Sequence, residues 1–215
     1  MLRRLRQRRR LWAALAASLM VAPALLGGHA AAGLDGNDQL PPPERNPQEA
    51  LPPDPAAMEA ARVLAQSMAI ADLAPAEYRM LVIRTADRHR IDPRLIASLV
   101  TVETEWDTHL VGSHGERGLM QLLPDTGAFL AKEAGLTQYD LADPATNLEL
   151  GCLYLAALLQ EYGTPERALA AYNGGPRAAD QAATNPYARK VLSLYHSTAD
   201  VPVRPWGNYH LPTAA

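Results

Sequence analysis

Asp92-Pro93-Arg94-Leu95-Ile96-Ala97-Ser98-Leu99-Val100-Thr101-Val102-Glu103-Thr104-Glu105-Trp106 is the stretch from which the rest of the chain can be read. Aspartate followed by proline marks a helix start. The carboxylate caps free N–H groups, and the proline ring presets φ where no amide hydrogen is needed. At about 100° per residue, Leu95, Ile96, Leu99, Val100 and Trp106 form one broad apolar stripe. Glu103 lies inside that stripe, four residues after Leu99 and seven after Ile96. Glu105 falls near the opposite face, beside Arg94, Ser98 and Thr101, and reads as an ordinary solvated carboxylate. A carboxylate on an apolar face loses hydration, so Glu103 should either sit in a core salt bridge or hold its proton unusually tightly. The second state is what a general acid for glycosidic cleavage requires. Periodicity alone leaves both open.

On either side the pattern stays helical, and no segment shows the sustained period-two alternation of a half-buried strand. Residues 56–72 are alanine-rich, with Val63, Leu64, Met68 and Ile70 as apolar positions, and Pro75 fits the first turn of a helix to about His89. Gly112-Ser113-His114-Gly115 is turn-rich; a helix then runs from near Pro124 to before Gly135. Residues 147–162 are strongly apolar and stopped by Gly163, and 165–172 are stopped by Asn173-Gly174-Gly175-Pro176. Asn185-Pro186 opens a last helix to about His196. The expectation is an all-α fold with one domain over 74–198, preceded by a helical arm over 56–73 that is either part of it or separate.

The ends read differently. Residues 1–32 combine six arginines, an apolar run from Leu11 to Leu26 broken by Pro23, and small residues in an A-x-A pattern. Together these read as a secretory signal peptide; an uncleaved inner-membrane anchor is the competing reading. Residues 33–55, with Pro41-Pro42-Pro43 and Pro52-Pro53-Asp54-Pro55, form a Pro-rich linker, and 199–215 form an irregular tail. Without 1–32, fourteen basic residues face 23 acidic ones, a net charge of −9 before histidines are counted. An acidic domain without a basic stripe argues against nucleic acid as partner. Cys152 is the single cysteine and, in an apolar helical pattern, reads as a small buried hydrophobe. The six histidines show no H-x-x-x-H pair, so neither a metal nor another cofactor is expected.

Ile91-Asp92-Pro93 through Pro124-Asp125-Thr126 resembles the catalytic core of the soluble lytic transglycosylases, in the lysozyme-like superfamily with goose-type lysozyme. The glutamate, small hydroxyl and aromatic pattern reads Glu103-Thr104-Glu105-Trp106, followed by Gly118-Leu119-Met120-Gln121 with Pro124 and Thr126. A third element is Ala171-Tyr172-Asn173-Gly174-Gly175-Pro176, with Asn147-Leu148, Gly151, Tyr154 and Leu155 before it. A fourth is Tyr187 with Lys190-Val191-Leu192. The resemblance implies a lysozyme-like catalytic domain acting on peptidoglycan glycan strands in the periplasm as a monomer; association with a cell-envelope apparatus is compatible with it. Glu103 would protonate the oxygen between N-acetylmuramic acid and N-acetylglucosamine, then take a proton from the muramic C6 hydroxyl, closing a 1,6-anhydro ring. Gln121 and Met120 would line the cleft floor, although Met120 could also be core. Tyr172 would place its hydroxyl near Glu103, and Asn173 would bind sugar or brace its loop. Tyr187 would be cleft wall or core.

The chain departs from the family at three places. The serine often found nine residues after the glutamate is Gly112 here, with Ser113 next to it as a candidate substitute. The usual glycine-alanine before the GLMQ element reads Gly115-Glu116. Glu116 would pair with Arg117 at the surface or add a second charge at the cleft rim. The glutamate-threonine before the late tyrosine reads Ala183-Thr184. Two rivals remain: a hydrolytic lysozyme or chitinase of the same fold, and a non-catalytic wall-binding protein, whose mark would be loss of Glu103.

Overall fold

The computed structural model describes residues 54–198; the expected signal (1–32), residues 33–53 of the expected linker (33–55) and the tail (199–215) lie outside the described residues, and the linker's last two residues cap and open the first helix. Proline punctuates this chain. The described helices are α1 (Pro55–Ala69), α2 (Ala76–His89), α3 (Pro93–Thr104), α4 (Pro124–Glu133), α5 (Pro144–Tyr162), α6 (Pro165–Gly174), α7 (Pro176–Ala179) and α8 (Pro186–Ser197). A 3-10 turn, Ala182–Thr184, precedes α8. Seven of these helices open on a proline, and α2 follows Pro75 directly. At five of the starts the residue before the proline caps the helix: Asp54, Asp92, Asp143, Thr164 and Asn185 each accept a backbone N–H from the first turn. Ring and cap together satisfy or remove the amide donors that a helix start leaves unpaired.

Several elements differ from the sequence expectation, the first helix among them, which spans Pro55–Ala69 where 56–72 is expected. The apolar helix begins at Pro144, not 147, because the Asp143 side chain caps it by accepting the Thr146 N–H. Helix α6 carries Tyr172 and Asn173 within its last turn and ends at Gly174. The short α7 and the 3-10 turn were not expected from the pattern.

The main core gathers α2, α3, α5, α6 and α8, with Ile70 and Leu73 from the end of the α1 segment packed into it. A second, smaller cluster of Leu122, Leu130, Leu141 and Leu150 holds α4 against α5. Helix α3 passes between α2 and α8, and every residue from Pro93 to Val100 is buried. This corrects the two-faced reading of α3, since Arg94 and Ser98 are interior. Arg94 is matched there by Asp92, at 2.7 Å, and donates to the Thr198 carbonyl at 3.2 Å, while the Tyr195 hydroxyl donates to Asp92 at 3.0 Å. A buried charge persists only when so partnered, and the group ties the start of α3 to the end of α8.

Trp106 is also corrected. Helix α3 ends at Thr104, and Glu105 and Trp106 both take left-handed backbone, at φ 51° and 72°. Two such residues turn the chain back under the helix. The Trp106 ring stacks on Tyr78 with centroids 5.5 Å apart, and its N–H donates to the Leu73 carbonyl at 2.6 Å. Trp106 thus anchors the α3 terminus rather than extending its stripe. Among the described residues no helix is long and apolar enough to cross a membrane.

Candidate active site

Glu103 is the next-to-last residue of α3, so whatever fixes that terminus aims its carboxyl. Trp106 clamps it from one side. Thr104 holds it from the other: its hydroxyl lies 3.3 Å from the carbonyls of Val100 and Leu119 and accepts the Trp106 N–H. Leu119 belongs to the GLMQ turn, which the Thr104 hydroxyl thereby joins to the α3 terminus.

That turn is pinned from below by Asn147, which is wholly buried on α5. Its Oδ1 accepts the Met120 N–H at 2.7 Å, and its Nδ2 donates to the carbonyls of Leu141 at 2.8 Å and Arg117 at 2.9 Å. Gly118 leaves no alternative: at φ 70°, a Cβ there would lie 2.1 Å from the Leu141 carbonyl oxygen. Arg117 and Leu122 close the turn with reciprocal backbone hydrogen bonds of 2.9 and 3.0 Å.

Glu103 is partly buried, and its carboxyl is held above the ordinary value of 4.5 chiefly by loss of hydration. The Tyr187 hydroxyl opposes this by donating to Glu103 Oε1 at 2.5 Å; the Glu116 charge pushes further upward and the Lys190 ammonium pulls downward. Burial raises the phenols of Tyr187 and Tyr172 well above their usual range. Both stay protonated at neutral pH and act as donors, not as bases. The site therefore offers one carboxyl that favours its proton, steadied by a phenol.

Glu105 is exposed, as expected. Tyr172 lies close enough for Glu103 to affect it electrostatically, but its hydroxyl donates to the Met120 carbonyl at 2.7 Å. Tyr187 is the side chain that reaches the carboxyl itself. Met120 is fully buried, packed against Gly151 and Cys152, so it supports the floor from beneath and does not line it. Gln121 takes left-handed backbone (φ 45°), and its amide nitrogen donates to the carbonyls of Gly118 and Leu110. Asn173 is exposed at the end of α6. Ser113 is exposed, with its hydroxyl 3.2 Å from His114 Nδ1. Glu116 pairs with His114, not Arg117: its Oε2 accepts the His114 backbone N–H at 2.9 Å and its Oε1 lies 3.2 Å from Nδ1. Among the described residues no three His, Cys, Asp or Glu side chains are gathered to hold a metal ion. Two functional contributions escaped the sequence reading. Sequence alone does not separate the direct Tyr187 contact from a wall role, and it shows Asn147 only as part of a pattern. The i, i+3 spacing of Tyr187 and Lys190 puts both on one face of α8 but does not name their partner.

Residues 80–193 match the family described as Transglycosylase SLT domain. The transglycosylase of Enterobacteria phage PRD1 is 37% identical over 106 residues, covering 49% of this chain and 38% of the phage protein. The soluble lytic murein transglycosylase of Escherichia coli K12 is 30% identical over 107 residues, 47% of this chain and 17% of that one. The chain thus spans well under half the length of these relatives. Among solved structures, an inactive mutant of the lytic transglycosylase Slt from Pseudomonas aeruginosa superposes with a TM-score of 0.53 at 23% identity, covering 60% of this chain and 25% of that one. That likeness establishes the fold. The 70-kDa soluble lytic transglycosylase in complex with bulgecin A gives a TM-score of 0.51 at 25% identity, over 57% of this chain and 24% of that one.

Proposed function

This chain belongs to the transglycosylase SLT domain family, and on that premise we propose that it is a peptidoglycan lytic transglycosylase with Glu103 as its acid and then its base. The observation that carries the reading is the single proton-favouring carboxyl at the end of α3, held by the Tyr187 hydroxyl. A glutamate that holds its proton more tightly than an ordinary carboxyl can deliver it to the glycosidic oxygen as the bond breaks. Departure of the protonated sugar leaves Glu103 as a carboxylate, whose charge the Tyr187 donor stabilises. The carboxylate then removes the proton of the muramic C6 hydroxyl, whose oxygen attacks C1 and closes the 1,6-anhydro ring. The proton returns to Glu103, so one residue serves both halves of the cycle. Substrate-supplied nucleophiles of this kind depart from the usual paired-carboxylate arrangement.

Gln121, Asn173 and Ser113 are proposed to contact the glycan, with Tyr172 bracing the Met120 carbonyl behind them. Export through the N-terminal signal would place a monomeric enzyme in the periplasm, beside its substrate. The test is lysis of purified sacculi. Glu103→Gln should lower the rate by about 10³-fold, while Glu105→Gln should clear at near the parent rate. A Glu103→Gln variant that lyses like the parent overturns the assignment.

A further inference from the structure

Two departures from the family pattern lie in the loop between α3 and α4, and they meet in space. A Cβ built on Gly112 would lie 2.4 Å from Glu116 Oε2 and 2.7 Å from Gln121 Oε1. Glu116 thus occupies the room that a side chain at position 112 would take. Gly112 does not have positive φ, so what glycine supplies there is space.

The oxygens that meet over Gly112 have a definite polarity. The Gln121 amide nitrogen donates to the Gly118 carbonyl at 3.0 Å and the Leu110 carbonyl at 3.2 Å. Carbonyls only accept, so the NH₂ group faces them and Oε1 is the atom turned to Gly112. Glu116 is turned to the same point by the His114 backbone N–H, on Oε2, and the His114 imidazole, on Oε1. Its own backbone N–H, with help from His114, holds its carboxyl below the ordinary value, so the group is charged at neutral pH. The ionisable groups around it are His114, whose side chain is 80% exposed, and Glu103, itself faced by Lys190. Two acceptor oxygens, one anionic, therefore converge over a glycine. An acetamido N–H or a single hydroxyl brings one hydrogen and leaves the other acceptor unmatched. A primary ammonium brings three hydrogens and the complementary charge.

We propose that Gly112, Glu116 and Gln121 form a rim notch that takes a primary ammonium group of the glycan substrate, which makes Glu116 a specificity-determining residue. This rests on the reading of the chain as a peptidoglycan lytic transglycosylase. The ammonium has two sources, a hexosamine lacking its acetyl group or a free amine of the stem peptide.

The experiment compares kcat/KM on three sacculus preparations: untreated, stripped of sugar acetyl groups, and with every free amine capped by acetic anhydride. The parent should act about tenfold faster on an amine-bearing preparation than on the capped one, as expected for loss of one charge-assisted hydrogen bond. A gain on untreated sacculi identifies the peptide amine, and a gain only on stripped sacculi identifies the sugar amine. Glu116→Gln should bring the amine-to-capped ratio to about one. Gly112→Ala should do the same with the charge retained, because its Cβ meets only the ends of two flexible side chains and would displace the carboxylate. A parent that clears all three equally, or a ratio that both variants preserve, overturns the notch and leaves the lytic reading intact. A parent that clears none of the three overturns both.

Discussion

Asn147→Ala tests whether the GLMQ turn is held as described. The side chain is wholly buried and makes three hydrogen bonds to backbone, to Met120 N and to the carbonyls of Arg117 and Leu141. Alanine leaves the Met120 N–H and the Leu141 carbonyl without their Asn147 partner, takes from the Arg117 carbonyl one of its two hydrogen bonds (the Leu122 N–H keeps the other), and opens a small void. Each unsatisfied group costs about 1–3 kcal/mol. Partial relaxation, which lets water reach the turn, puts the sum near 3–5 kcal/mol, a large share of the about 5–15 kcal/mol that stabilises a domain. For a protein of this size that corresponds to a Tm lower by roughly 6–20 °C. Urea unfolding followed by far-ultraviolet circular dichroism gives the free energy. Sacculus clearance at 15 °C, where the variant remains folded, gives the functional cost of a loosened Gln121. The expected result is a midpoint shift with unchanged m-value, accompanied by reduced lysis. A loss below 1 kcal/mol would mean that Asn147 does not pin the turn.

Three further outcomes follow from the same geometry. Tyr187→Phe removes the hydrogen bond that favours the charged form of Glu103 while leaving its burial, so its pKa should rise. The alkaline limb of the kcat/KM profile, where the general acid loses its proton, should then move to higher pH; a limb that stays or moves down refutes the pairing. Glu103→Gln should match the parent's stability at pH below 4.5 and exceed it above the raised pKa, because folding disfavours the anion and the parent loses stability as pH rises through that window. Urea titrations at pH 4 and 8 measure the difference, and a variant that is less stable at pH 8 contradicts it. Gly151→Ala places a methyl 2.3 Å from Met120 Sδ and 2.8 Å from its Cβ. It should cost about 1–3 kcal/mol by overpacking, read as a lower thermal midpoint; no change would show that Met120 can move aside.

The helix starts were legible because their causes are local. Asp92-Pro93 and Asn185-Pro186 carry both a cap and a preset φ, and the structure opens helices at each. Asp143-Pro144 carries the same signal, and weighing it over the apolar run would have placed the α5 start correctly. What periodicity could not show was tertiary. Helix α3 is enclosed on all sides from Pro93 to Val100, so Arg94 and Ser98 are buried although they fall on its polar-looking face. Trp106 left the stripe because two left-handed residues ended the helix before it. Glu103 was found because its anomaly lies within one helix. Its partner Tyr187 lies 84 residues away, and no local pattern reports that pairing. Nor could the Gly112–Glu116 exchange be read as one event until the loop brought both to the same point.

The central claim is that Glu103 works as the sole acid and base, with the muramic C6 hydroxyl as nucleophile. Mass spectrometry of a complete sacculus digest tests it directly, since an anhydro end is lighter than a reducing end by one water. Muropeptides ending in 1,6-anhydro-muramic acid are the predicted products, from the parent and from Glu116→Gln alike. A digest dominated by reducing ends would contradict the claim, put water in the place of the C6 hydroxyl, and make Glu116 the carboxylate that activates it.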